Sequence, residues 1–179
     1  MNGVLIPVSQ TGGSPIPPER FNEDELFKPK EALEQAGVTV TLASTKTGEI
    51  IGDYNGKATA DLVFTDAVLA DYDVVSVIGG SGTNDYLWNN ADLQALLKQT
   101  HEQKKLLAGI CAGSVAVAQT GLLSGRTATC YPVDVQKDLL QSHQAEYVAQ
   151  HVVAHSDIIT ADGPDGAQDF GAALVKALQ

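Results

Sequence analysis

Two runs of this chain, Val74-Val75-Ser76-Val77-Ile78 and Leu106-Leu107-Ala108-Gly109-Ile110, carry almost no polar face. A strand with one side in water alternates apolar and polar residues, so runs like these are covered on both sides. Each run ends abruptly in small residues, Gly79-Gly80-Ser81-Gly82 in the first case and Cys111-Ala112-Gly113 in the second. The stretches between such runs have helical spacing. Residues 91–103 place Leu93, Leu96 and Leu97 on one side, with Asn89 or Asn90 as cap; residues 24–36 do the same with Leu26, Leu33 and Ala36, and Gly37 stops them. Doubly covered strands that alternate with amphipathic helices imply a mostly parallel sheet with helices on both faces.

The remaining segments fit that plan. Residues 3–8 read as a first strand and 38–43 as a second, while Thr47-Gly48 and Asn55-Gly56 mark a hairpin excursion before residue 64. Pro29 predicts a kink in the first helix or a later start for it. Residues 112–120 form a small-residue helix stopped by Gly121. Beyond Arg126 come a short strand, a helix over 134–143, strand-like runs at 148–154 and 158–160, and a closing helix over 169–178. The stretch 9–22, rich in Gly, Pro and Ser, reads as a long loop of the kind that covers a site. With 179 residues and neither repeat nor low-complexity linker, residues 1–179 make a single α/β domain.

Composition narrows the partners. A net charge of −11 disfavours nucleic acid and anionic membrane surfaces, which repel an acidic protein. No apolar stretch approaches the ~20 residues of a membrane span, and the start lacks the charged and long apolar regions of a signal peptide. Two cysteines are too few for a disulfide framework, so a cytoplasmic location is expected.

Gly109-Ile110-Cys111-Ala112-Gly113 has the frame of a nucleophile elbow, with a thiol where hydrolases carry a serine. The strand before it and the helix after it are the required context. Cys111 at the head of that helix is expected to favour thiolate, with the Ala112 and Gly113 amides as oxyanion donors. Gly79, Gly80 and Ser81 follow the neighbouring buried strand and so open at the same end of the sheet. They are expected to wall an anion pocket, the Gly80 or Ser81 amide completing it. Asp85 stands where a dinucleotide loop needs its third glycine, and no phosphate-binding G-x-x-x-x-G-K-[ST] exists, so no cofactor is expected. Asp162-Gly163-Pro164-Asp165-Gly166 lacks the ligand periodicity of a calcium loop, and no metal is expected. Tyr86 and Trp88 either line the pocket mouth or pack a dimer contact.

Taken together, Val74 to Gly80, Gly109 to Ser114, Gly121-Leu122-Leu123, Arg126 to Thr129, and Ile159 to Pro164 with Asp169-Phe170 resemble the ThiJ/PfpI superfamily across nearly the whole chain, in order. Ala128-Thr129-Cys130-Tyr131-Pro132 is most similar to bacterial and plant relatives of the Parkinson-associated deglycase/chaperone. The resemblance implies a flavodoxin-like three-layer sandwich, a homodimer and a reactive elbow cysteine. It also implies a glutamate against the sulfur. Phe21-Asn22-Glu23-Asp24-Glu25-Leu26 offers Glu25, with Glu23 as the alternate.

Other members resemble one another in a histidine that this chain lacks: Ala112 follows the cysteine where proteases have histidine, and Cys130 stands where glyoxalase-type members have it. His101, His143, His151 and His155 are the remaining candidates for a base. Cys130 is also a possible second thiol that resolves an oxidised Cys111. The expected function is cysteine-dependent chemistry on a small reactive carbonyl through Cys111 and Glu25. The alternatives are a redox-responsive stress protein and a cysteine hydrolase, amidase or hydratase.

Overall fold

In the computed structural model, which describes residues 10–179, the chain starts with β1 (Thr11–Pro15), α1 (Glu23–Gln35) and β2 (Thr39–Ser44). A hairpin of β3 (Gly48–Ile51) and β4 (Lys57–Ala60) follows, then β5 (Leu62–Val63), β6 (Val74–Val77) and α2 (Ser81–Tyr86). The central segment is α3 (Ala91–Glu102), β7 (Leu106–Ile110) and α4 (Ala112–Ala118). Next come β8 (Thr127–Ala128), α5 (Asp134–Ser142) and β9 (Glu146–Tyr147), before β10 (Val152–Ala154), β11 (Ile158–Ala161) and α6 (Ala167–Ala177) close the chain.

Seven strands form one sheet in the order β10-β11-β7-β6-β1-β2-β5, parallel throughout except for β10 against β11. The fold is the expected α/β sandwich. Helices α1 and α6 bury Leu26, Leu33, Phe170 and Leu174 on one face. On the other, α3, α4 and α5 bury Leu93, Leu97, Val115 and Leu140. Gly171 sets the approach of the first pair, since a Cβ there would lie 3.0 Å from both Ala32 Cβ and Pro29 Cα. Among the described residues no helix is long and apolar enough to cross a membrane.

The differences from the sequence reading have local causes. The proposed strand at 3–8 lies outside the described residues. The stretch read as loop contains β1, a central strand paired to β2 and β6. Gly12 and Gly13 signal a turn by propensity, but they leave room for Val74 and the Tyr72 ring, which a Cβ would meet at 3.3 Å in each case; tertiary pairing overrides local preference there. Helix α1 begins at Glu23 rather than later. Asn22 caps it by accepting from the Glu25 amide at 3.1 Å, and Pro29 sits inside it, buried. Only 152–154 of the run 148–154 is strand.

At the end of the sheet away from Cys111, Asp157 accepts two hydrogen bonds from Arg126 (2.5 and 3.0 Å) and pairs with His101 at 2.8 Å. Arg126 holds the Asp157 carboxyl well below the usual range; partial burial opposes this and His101 adds to it. A carboxylate with a depressed folded-state pKa contributes stability above its unfolded pKa, and that contribution is lost as pH falls through the acid range. Asp157→Asn is therefore expected to lower stability near neutrality by about 1 kcal/mol, given the partial exposure of the cluster. Thermal melts from pH ~7 to pH ~2 check this: the gap between wild type and variant should begin to narrow below about pH 4 and keep shrinking toward pH ~2.

Candidate active site

Cys111 stands between β7 and α4 with φ 57° and ψ −124°, in the left-handed half of backbone space that a side chain rarely enters. Its surroundings hold it there. The Cys111 amide donates to Ala161 O at 2.9 Å, and Ser114 Oγ donates to Gly109 O and Ala161 O at 3.0 and 3.1 Å. A Cβ at Gly109 would lie 2.6 Å from Gly113 O, and one at Gly113 would collide with Val77 O. Both elbow glycines are thus sites where only backbone fits. The Trp88 indole N–H donates to Ala112 O at 2.8 Å, so Trp88 buttresses the elbow from behind. Tyr86 is exposed and donates its hydroxyl to Glu19 at 2.6 Å.

The first turn of α1 brings Glu25 to the sulfur. Gly79 makes the meeting possible: a Cβ there would strike the Glu25 carboxyl and lie 2.9 Å from Cys111 Cβ. Glu25 is only 1% exposed, and its Oε2 is buried with no hydrogen-bond partner. Burial raises its pKa to about 8, against the lowering effect of the Cys111 thiol and the Gly79 amide. Near pH 7 the carboxyl therefore keeps its proton.

Cys111 is itself buried, and burial followed by the charge of an ionised Glu25 pushes its thiol well above the ordinary range. The Ala112 amide and the Gln136 side chain pull in the other direction. Burial and the Glu25 charge thus oppose the thiolate expected at the head of the short helix α4.

Gln136 is the residue that the sequence reading missed. Buried in the first turn of α5, it points Nε2 at Cys111 Sγ (3.8 Å) and accepts from the Tyr131 amide at 3.1 Å. No sequence signal singles out one glutamine in an amphipathic helix. The hairpin tip was missed too: Asp53 and Tyr54 line the same cavity of about 230 Å³ as Glu25, Cys111 and Gln136.

Glu23, the alternate carboxyl, does not reach the sulfur. It clamps the hairpin, accepting from the Tyr54 and Gly56 amides at 2.7 and 3.0 Å. Gly80 and Ser81 do line the cavity, but the Ser81 amide and hydroxyl are committed to Asp53 at 3.1 and 2.5 Å. Ser81 is not a free oxyanion donor, then, and Ala112 is the amide at the sulfur. Gly113 packs against Val77 beneath the elbow.

Cys130 is fully buried next to Tyr131, which lines the cavity, and both thiols are free. Burial pushes the Cys130 thiol up to about 12, which suits a packing residue. Among the described residues no histidine lines the cavity. His101 pairs with Asp157, His151 with Asp162, and His155 with Thr127, while His143 caps α5. Asp162 of the loop read against calcium is engaged by His151 at 2.8 Å.

Two close acids ionise as a pair, in two macroscopic steps. Ultraviolet thiolate absorbance against pH should rise at lower pH in Glu25→Gln than in wild type, because the thiol then ionises without the charge of the carboxylate beside it. Identical curves would mean that the two groups do not interact.

Known proteins resemble this chain over most of its length. The DJ-1/PfpI family model matches residues 16–177. An uncharacterized protein of Methanocaldococcus jannaschii is 35% identical over 164 residues, 92% of this chain and 80% of that protein. A ThiJ/PfpI domain protein from Brachyspira murdochii superposes with a TM-score of 0.90 at 28% identity, over 94% of this chain and 95% of that one. Toxoplasma gondii DJ-1, in an oxidized form, gives 0.78 at 29% identity over 94% and 90%. With a family model over most of its length and the elbow cysteine in place, this chain belongs to the DJ-1/PfpI family.

Proposed function

We propose that this protein uses Cys111 as a nucleophile toward a small reactive carbonyl compound, with Glu25 as the group that moves the proton. The observation that carries the reading is a buried carboxyl, its pKa raised by burial, packed against a buried thiol in one small cavity. From the pair that has released one proton, with the sulfur as thiolate and the remaining proton on Glu25, the Cys111 sulfur adds to the carbonyl carbon, the C=O π pair moves to oxygen, and the Glu25 proton neutralises it, giving a hemithioacetal and a Glu25 carboxylate. The Ala112 amide faces the developing charge. On an α-dicarbonyl, the Glu25 carboxylate can then take the proton from the sulfur-bearing carbon and return it to the neighbouring carbon. One carbon is oxidised and the next reduced, so no outside oxidant enters. Water then releases a hydroxy acid from the resulting thioester and restores the thiol.

Glu25 suits this work because a proton carrier is most effective when its pKa lies near the working pH. Wild type is expected to convert methylglyoxal to lactate. Cys111→Ser should abolish turnover, and Glu25→Gln should reduce kcat by roughly 10²–10⁴-fold with the protein still folded. Turnover by Cys111→Ser at the wild-type rate would sink the reading.

A second reading, a redox-responsive role, draws on the unpartnered Glu25 Oε2 beside Cys111 and on the similarity to an oxidized DJ-1. Peroxide converts a thiolate to sulfenic and then sulfinic acid, each peroxide oxygen transferred releasing water. A sulfinate oxygen would accept the Glu25 proton. Mass spectrometry after mild peroxide should find two added oxygens on Cys111. A Cys111–Cys130 disulfide in its place would identify Cys130 as a resolving thiol.

A further inference from the structure

We infer that the Cys111 cavity selects its electrophile by charge, admitting neutral or cationic carbonyl compounds and turning away those that bear a carboxylate, with Asp53 as the specificity-determining residue. This rests on the proposed carbonyl chemistry and narrows its substrate class.

Two of the side chains lining the cavity are acids, Glu25 and Asp53, and the amides of Asn22, Asn84 and Gln136 supply further polarity. Among the described residues no Lys, Arg or His lines it. Asp53 is not a loose surface acid. Its amide donates to Phe21 O at 2.8 Å, and its two carboxylate oxygens accept from the Ser81 amide and hydroxyl at 3.1 and 2.5 Å. The hairpin that carries it is fixed in turn by Glu23. Asp162, outside the lining, adds a third carboxylate that acts on Glu25 through its charge.

The cations nearby are already matched. Arg20 reaches Ser81 Oγ at 3.5 Å, but its guanidinium is bound to Asp85 at 2.5 Å with Glu19 at 3.7 Å. His151 is bound to Asp162 at 2.8 Å. The charges of Asp53 and Asp162 both favour the protonated form of Glu25, after the larger effect of its burial. When the Cys111 thiolate forms, an entering carboxylate faces it and Asp53 together. The net charge of −11 repels anions at longer range as well.

Iodoacetamide and iodoacetate test this without relying on turnover. They are similar in size, and each is attacked by thiolate with loss of iodide, but only one is an anion. Their alkylation rates at Cys111, read by mass spectrometry of the Cys111 peptide, are compared with the rates for a free small thiol at the same pH and salt. Wild type should favour iodoacetamide by roughly tenfold more than the free thiol does, the effect of one partly screened like charge. Asp53→Asn keeps an acceptor for the Ser81 amide and a donor for its hydroxyl, and it should cut that preference several-fold. Raising salt should also shrink it.

A wild-type preference equal to that of the free thiol would overturn the inference. A preference unchanged by Asp53→Asn, or no alkylation by either reagent, would overturn it too. Methylglyoxal and 4,5-dioxopentanoate, an α-dicarbonyl that carries a carboxylate, extend the comparison to turnover. Alkylation preference with neither compound converted supports charge selection and refutes the carbonyl chemistry; conversion of both at equal rates does the reverse.

Discussion

Cys111 and Glu25 come from different layers of the molecule, and they meet because backbone stands where side chains would ordinarily be. Gly79, at the end of β6, leaves the space that the Glu25 carboxyl enters. Gly109 and Gly113 let the chain turn sharply enough to raise Cys111 above the strand. The positive φ at Cys111 costs of order 1–3 kcal/mol, and the hydrogen bonds from the Cys111 amide and Ser114 Oγ to Ala161 O resist its relaxation. Moving any of these contacts by an ångström separates sulfur from carboxyl. The rest of the sheet serves to fix β6, β7 and β11 relative to one another.

Around this pair, carboxylates do three different jobs according to their surroundings. Glu25 is buried without a cation, so it holds a proton near neutrality. Glu23, two residues earlier, accepts backbone amides and secures the β3–β4 hairpin. Asp53, at the tip of that hairpin, binds Ser81 and places a negative charge on the cavity lining. The residue type is nearly the same in each case. What differs is the number of donors within reach and the amount of water removed.

The sheet was legible because burial on both faces leaves long apolar runs, as at Val74 to Ile78 and Leu106 to Ile110. The elbow was legible because its glycines are sterically obligatory. Residues 11–15 were not, since Gly12, Gly13 and Pro15 carry turn propensities and their strand character comes from pairing with β2 and β6. Gln136 and Asp53 reach the site from elements distant in sequence, and nothing local marks them. Ser81 was misjudged for a related reason: its amide lies where an oxyanion donor would, but the hairpin supplies an acceptor that the sequence does not reveal. The thiol itself shows a conflict of two effects. A helix N-terminus lowers a thiol pKa and burial raises it, and only the structure says which is larger.

The absence of an imidazole from the cavity lining among the described residues bears on which reaction class fits this pair. Amide hydrolysis through a cysteine needs a proton delivered to the leaving amine and then a base for the attacking water, both at positions set by the acyl group. Histidine does this easily because either ring nitrogen can carry the proton. Glu25 is one carboxyl fixed in one orientation by burial. Addition of sulfur to a carbonyl asks less, because the one proton that the ionised pair still holds is the proton that the alkoxide takes up. A proton shift between adjacent carbons asks for one more transfer over a short distance, along a path that a carboxyl with a free oxygen can serve. The pair is therefore matched to chemistry in which a single proton returns to the substrate from which it came.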